Sequence, residues 1–242
     1  MRSLAVPPLF AALEPARTVL IAGAGGGFDV YAAIPLALAL RDAGRTVHLA
    51  NLSFTRLELL DLDAWAARDV AAVTPDTAGP DEYFPERALA RWLAANGQPS
   101  TVYAFPQVGV QPLRDAYRHL VAALGADAVV LVDGGTDILM RGDEAGLGTP
   151  VEDMTSLAAV AGLDVPVKLV VCLGFGIDAY HGVNHTQVQV LENIAALDRD
   201  GLANRPLYLD RLEHTVGMRQ VASRIEEFRD EVERRTPRAF PH

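Results

Sequence analysis

The chain has 242 residues, half of them hydrophobic, and a formal net charge of −10 at pH 7. Such a length and apolar content fit one α/β domain with a substantial core. The acidic balance excludes an extended nucleic-acid interface, which needs clustered Lys and Arg, but not a small anionic ligand held by backbone N–H groups.

In chain order, the first segment carries prolines within a short apolar stretch and no cleavage pattern, so it is not read as a signal peptide. Residues 18–22, TVLIA, form the first and central strand. The run Gly23-Ala24-Gly25-Gly26-Gly27-Phe28-Asp29 follows, and then a helix to Gly44. Pro35 either kinks that helix or sets its true first turn. Strand, glycine loop and helix together make a phosphate-binding arrangement, in which the backbone approaches the anion closely and the helix start supplies N–H groups. Residues 46–50 complete a βαβ unit and run into Asn51-Leu52-Ser53-Phe54-Thr55.

Residues 70–73 read as a weak strand before a Pro/Gly/Asp loop at 75–82. A helix at 85–96 has Pro85 in its first turn. Strand 101–105, helix 111–124, strand 128–132, helix 153–162 and strand 167–173 follow, then helices at 187–199 and 211–235. Ile225, Phe228 and Val232 lie on one side of the last helix, which either packs on the domain or serves a partner subunit, leaving a homo-oligomer open. Strands alternate with helices and are apolar without period two, which predicts a mostly parallel sheet covered on both faces. The expectation is one Rossmann-like, doubly wound α/β domain over residues 1–242, with its core at about 18–200. No apolar run reaches the roughly 18 residues of a membrane span. Cys172 is the only cysteine and lies in an apolar run, which predicts a buried thiol and a cytoplasmic protein.

Ligands of such sheets bind outside the carboxyl ends of the strands. The site is therefore expected along one edge, from residues 23–29, 51–55, 105–110, 133–144 and 174–185. Its centre is the loop after 128–132, where Asp133-Gly134-Gly135-Thr136-Asp137 interrupts the apolar run and Arg141, Asp143, Glu144, Glu152 and Asp153 follow. Asp133 and Asp137 are candidates for Mg²⁺ ligation, for hydrogen bonds to sugar hydroxyls or for general base catalysis. Otherwise Asp133 caps its strand, Asp137 pairs with Arg141, and Glu152 and Asp153 suit a helix start.

Gly23, Gly25, Gly26 and Gly27 either approach an anion or serve tight packing. Asp29 either caps the helix or faces the pocket. Asn51, Ser53, Gly134, Gly135, Thr136, Arg141, Asp143, Glu144, Gly174, Gly176 and Asp178 complete the candidate ligand contacts. Asp178, His181 and His185 follow the last strand. The two histidines are candidates for proton transfer, with zinc binding weakened by the missing glutamate of H-E-x-x-H.

The strings AGAGGGFDVYAAIPL, LANLSF, YFPE, FPQVGVQP, DGGTDILMRGDEAGLGTPVEDM and CLGFGIDAYHGVNH, with ENIAAL, resemble the family catalogued as domain of unknown function 1152. The likeness covers roughly residues 18–200 and implies no established activity and no catalytic role for any residue. The leading expectation is an enzyme acting on a small phosphorylated or nucleotide-like molecule by hydrolysis or group transfer. The glycine loop would hold the anionic group, Asp133 and Asp137 a cation or hydroxyls, and His181 or His185 would move a proton. The alternative is a non-catalytic sensor of a nucleotide derivative. A dehydrogenase fits poorly, since Phe28 stands at the third glycine of the dinucleotide fingerprint and Asn51 near the place of the ribose-binding acid.

Overall fold

Strand β1, Thr18–Gly23, shows why this chain needs a layered fold: Val19, Leu20, Ile21 and Ala22 are all fully buried. Successive strand residues point to opposite faces, so both faces require cover. The computed structural model describes residues 8–135, 137–139 and 150–172. The helices expected at 187–199 and 211–235 lie outside them.

The remaining strands are β2 Thr46–Leu52, β3 Trp65–Ala67, β4 Val70–Val73, β5 Val102–Phe105, β6 Ala128–Asp133 and β7 Val167–Cys172. They join β1 in one sheet of seven strands, in the order β3-β4-β5-β2-β1-β6-β7. Strands β5, β2, β1, β6 and β7 run parallel, while β4 pairs antiparallel with β5 and with β3. The fold is thus α/β with a mostly parallel sheet, as the alternation of apolar runs and helices predicts. The hairpin β3–β4 adds an antiparallel edge.

The helices are α1 Pro8–Ala12, α2 Asp29–Ala32, α3 Ile34–Asp42, α4 Pro85–Ala95, α5 Val110–Leu124 and α6 Pro150–Ala161. The helix expected after the glycine loop is divided at Ala33. Pro35 is the cause: it has no N–H to give the carbonyl of Tyr31, which instead accepts from Ala33. Pro35 therefore sits in the first turn of α3. Pro85 starts α4, and Gly125, at φ +63°, ends α5 in the left-handed conformation that suits glycine.

Alternate residues of the strands enter two apolar clusters. Leu20, Ala22, Val129 and Leu131 pack with Leu113, Tyr117 and Leu120 of α5 and Leu157 and Val160 of α6. Val19, Ile21, Val130 and Val132 pack with Leu36 and Leu40 of α3 and Leu89 and Leu93 of α4. Cys172 is only half-buried, because β7 is the outermost of the described parallel strands.

The register aligns the chemistry. Gly23 pairs with Asn51 on one side and with Val132 on the other, and Asp133 pairs with Cys172. The loops after β1, β2 and β6 therefore leave from the same edge of the sheet, the edge on which a shared site was expected.

Candidate functional site

Glycine is required where β1 turns into its loop. A Cβ at Gly23 would collide with Oδ1 of Asn51 and lie 2.6 Å from the backbone nitrogen of Val30. At Gly25 it would lie 2.6 and 2.9 Å from the two carboxylate oxygens of Asp153 and 2.9 Å from Oδ2 of Asp29. Gly26 and Gly27 have φ of +94° and +61°, and a Cβ on Gly26 would meet the Phe54 ring at 2.7 Å. The loop is thus a bare backbone strand between carboxylates on one side and aromatic rings on the other.

Asp29 joins two loops. Its Oδ2 accepts the N–H of Gly25 at 2.7 Å, and its Oδ1 accepts the N–H of Gly134 at 3.2 Å. Asp133 is buried, with Oδ1 accepting from Gly135 at 2.7 Å and Oδ2 from Ile138 at 3.0 Å. It thereby shapes the turn that leads into a single 3₁₀ turn, Asp137–Leu139. Asp153 comes from the first turn of α6 and is fully buried. One oxygen from each of Asp29, Asp133 and Asp153 falls within 4.8 Å of the others, a set that could hold a metal ion. Carboxylates this close repel one another, and a cation or a proton relieves that repulsion. Ser156, further along α6, donates from Oγ to the carbonyl of Ala24 at 2.7 Å and ties the helix to the same loop.

Two of the glycine-rich N–H groups expected to face an anion, those of Gly25 and Gly134, are thus engaged by the protein's own carboxylate. No described residue accepts a hydrogen bond from the N–H of Gly26, Gly27 or Phe28. These three consecutive donors follow directly on Gly25, whose own N–H the Asp29 carboxylate holds.

Beneath the loop lies a buried polar chain. Nδ2 of Asn51 donates to the carbonyl of Gly27 at 3.0 Å and to Oε1 of Glu86 at 2.7 Å. Thr55 donates from Oγ1 to Oε2 of Glu86 at 3.1 Å, and its N–H bonds Oγ of Ser53 at 3.0 Å. Asn51 and Glu86 are fully buried, so each bond made here avoids leaving a desolvated polar group unmatched. Tyr31 donates from its hydroxyl to the carbonyl of Pro85 at 2.9 Å. Burial raises the Tyr83 phenol above its usual range, with Glu86 and then Asp29 adding to the effect, so the ring stays protonated and able to donate.

Of the residues expected from sequence, Gly23, Gly25, Gly26, Gly27, Asp29, Gly134, Gly135 and Asp133 converge at this edge. Asn51 and Ser53 support it from below. Asp137 starts the 3₁₀ turn, with its side chain outside the described set. Thr136, Arg141, Asp143, Glu144, Gly174, Gly176, Asp178, His181 and His185 lie outside the described residues. Sequence reasoning named Asp153 only as a charge following the central loop or a helix-start acid and left it out of the ligand set, and it did not name Glu86. Each stands in the first turn of a helix, where the dipole alone is reason enough for an acid.

A family model described as "Protein of unknown function (DUF1152)" matches residues 20–217. No curated protein and no solved structure matches the chain.

Proposed function

The chain belongs to this family of proteins of unknown function, and from that premise we propose an enzyme that binds a small phosphorylated ligand at the carboxyl edge of the sheet. The reaction is hydrolysis or group transfer. One juxtaposition carries the reading: carboxylates of Asp29, Asp133 and Asp153 within 4.8 Å of one another, against a loop whose next three N–H groups bond no described residue.

In this reading the N–H groups of Gly26, Gly27 and Phe28 hold phosphoryl oxygens, and the three aspartates hold a divalent cation such as Mg²⁺. Such a cation supplies charge neutralisation and polarisation of the phosphoryl group. Each aspartate oxygen that accepts a backbone N–H keeps a second lone pair for this purpose. Arg141, Asp143, Glu144 and the loop at 174–178 complete the ligand contacts, and His181 or His185 moves the proton. Asp137 retains its proposed part beside Asp133.

The strand order supports the site. The parallel strands β1, β2, β5, β6 and β7 lie in the spatial order third, second, first, fourth, fifth, which supports reading the sheet as doubly wound and Rossmann-like with helices on both faces. The switch falls between β1 and β6, and ligands of such sheets bind there. A cytoplasmic location fits the single cysteine.

Thermal melting with MgCl₂ and inorganic pyrophosphate tests the reading. Mg²⁺ should raise Tm, pyrophosphate should raise it further only with Mg²⁺ present, and a folded Asp153→Asn variant should lose the response to Mg²⁺. A wild-type Tm indifferent to both would overturn the proposal. Phosphate release from a panel of phosphoesters separates an enzyme from a ligand sensor, which would bind without turnover.

A further inference from the structure

Five large hydrophobic side chains are substantially exposed among the described residues: Phe28, Phe54, Leu59, Leu62 and Trp92. Single exposed apolar residues need no explanation. Two of these five, however, adjoin the same three N–H groups. Phe28 is 60% exposed and carries the third of those groups, while Phe54 is 40% exposed and lies against Gly26. The position of a Gly27 Cβ would be 3.5 Å from the Tyr83 hydroxyl and 3.7 Å from the Phe54 ring. Phenylalanine rings at the rim of a polar loop make no hydrogen bond to water, and burial under a ligand stabilises them.

The rings are also held in place. Phe54 occupies the space that any side chain at 26 would need, so the glycine that frees the backbone also seats the ring. Phe28 meets Tyr31 with centroids 5.4 Å apart at 59°, and Tyr83 at 5.8 Å and 77°. Both contacts are tilted or edge-on, and neither neighbour lies parallel on its face. These contacts position the Phe28 ring, most of which remains exposed.

Resting on the phosphoryl reading above, we propose that Phe28 and Phe54, with Tyr83 as a hydrogen-bonding neighbour, form a subsite for a planar heteroaromatic ring, so that the ligand is a nucleoside phosphate. The phosphoryl donors and the rings belong to the same few residues. The ligand must therefore carry its phosphoryl group and its ring within the span of one sugar.

Calorimetry in MgCl₂ with ribose 5-phosphate and with adenosine, guanosine, cytidine and uridine 5′-monophosphates tests this. At least one nucleotide should bind about tenfold or more tighter than ribose 5-phosphate, the size expected for one stacked base. In Phe28→Leu and in Phe54→Leu that ratio should fall toward unity, because the leucine keeps the apolar bulk and removes the π-face. Equal binding of ribose 5-phosphate and all four nucleotides to the wild type overturns the aromatic subsite and leaves the phosphoryl reading standing. Binding of none of them overturns both. A ratio that persists in both variants also overturns the subsite.

Discussion

At Gly25 two carboxylates already occupy the space a side chain would need, at 2.6 to 2.9 Å from a Cβ. Gly25→Ala should therefore displace Asp153 or Asp29 and cost about 1–3 kcal/mol, the usual range for overpacking, measured by urea denaturation. Asp133→Asn tests the neighbouring turn. Both oxygens of Asp133 accept backbone N–H groups, so one half of an amide would set N–H against N–H. A loss of about 1–3 kcal/mol is expected, and an unchanged midpoint would show that the turn relaxes around the amide. His48 gives a pH test. Burial, then the Arg41 guanidinium, hold its pKa below the ordinary 6.5. The folded state thus prefers the neutral ring, and its contribution to stability is present above that value and lost as pH falls through the lower folded one. Replacement of His48 by Gln should flatten the decline in Tm on acidification below 6.5. At this scale the glycines and Asp29 were legible, because a glycine run after a strand has few other uses. Asp153 was legible only as a charge after the central loop or an ordinary helix-start acid, because tertiary packing is what brings it to Gly25.

Among elements, punctuation residues fixed most boundaries. Pro85 and Gly125 stand where α4 begins and α5 has ended. Pro35 left two readings open, and the structure selects the one that makes it an initiator of α3. Strand β3 escaped notice because three residues, Trp65–Ala67, give no periodicity to read, and its pairing is set by the hairpin with β4. Helix α4 does more than cover the sheet. Its first turn delivers Glu86 under the loop after β1, through Asn51. Glu86→Ala would remove the acceptor for both Asn51 and Thr55 inside a region closed to solvent. A loss of about 2 kcal/mol or more is expected, read as a lowered denaturant midpoint, and the Mg²⁺ response of Tm should weaken as Gly27 loosens. An unaltered midpoint would mean that water replaces the carboxylate without penalty.

Over the whole molecule, the parallel sheet was the most legible feature, since runs such as residues 128–132 must be covered on both sides wherever they sit. The antiparallel edge was not, because the direction of a short strand such as β4 is decided by neighbours and not by its own residues. No helix among the described residues is long and apolar enough to cross a membrane. The aspartate that spans from Gly25 to Gly134 has a consequence for motion. It links the amide of Gly25, four residues before it, to that of Gly134, 105 residues beyond it, through one rigid carboxylate group. Opening either loop removes a hydrogen bond that holds the Asp29 carboxylate in place, and the other loop depends on that placement through the second oxygen. Amide hydrogen exchange should report this as a shared clock: Gly25 and Gly134 should exchange with the same opening free energy, although they belong to different strand ends. In Asp29→Ala the two should become faster and unequal, each loop then breathing on its own schedule.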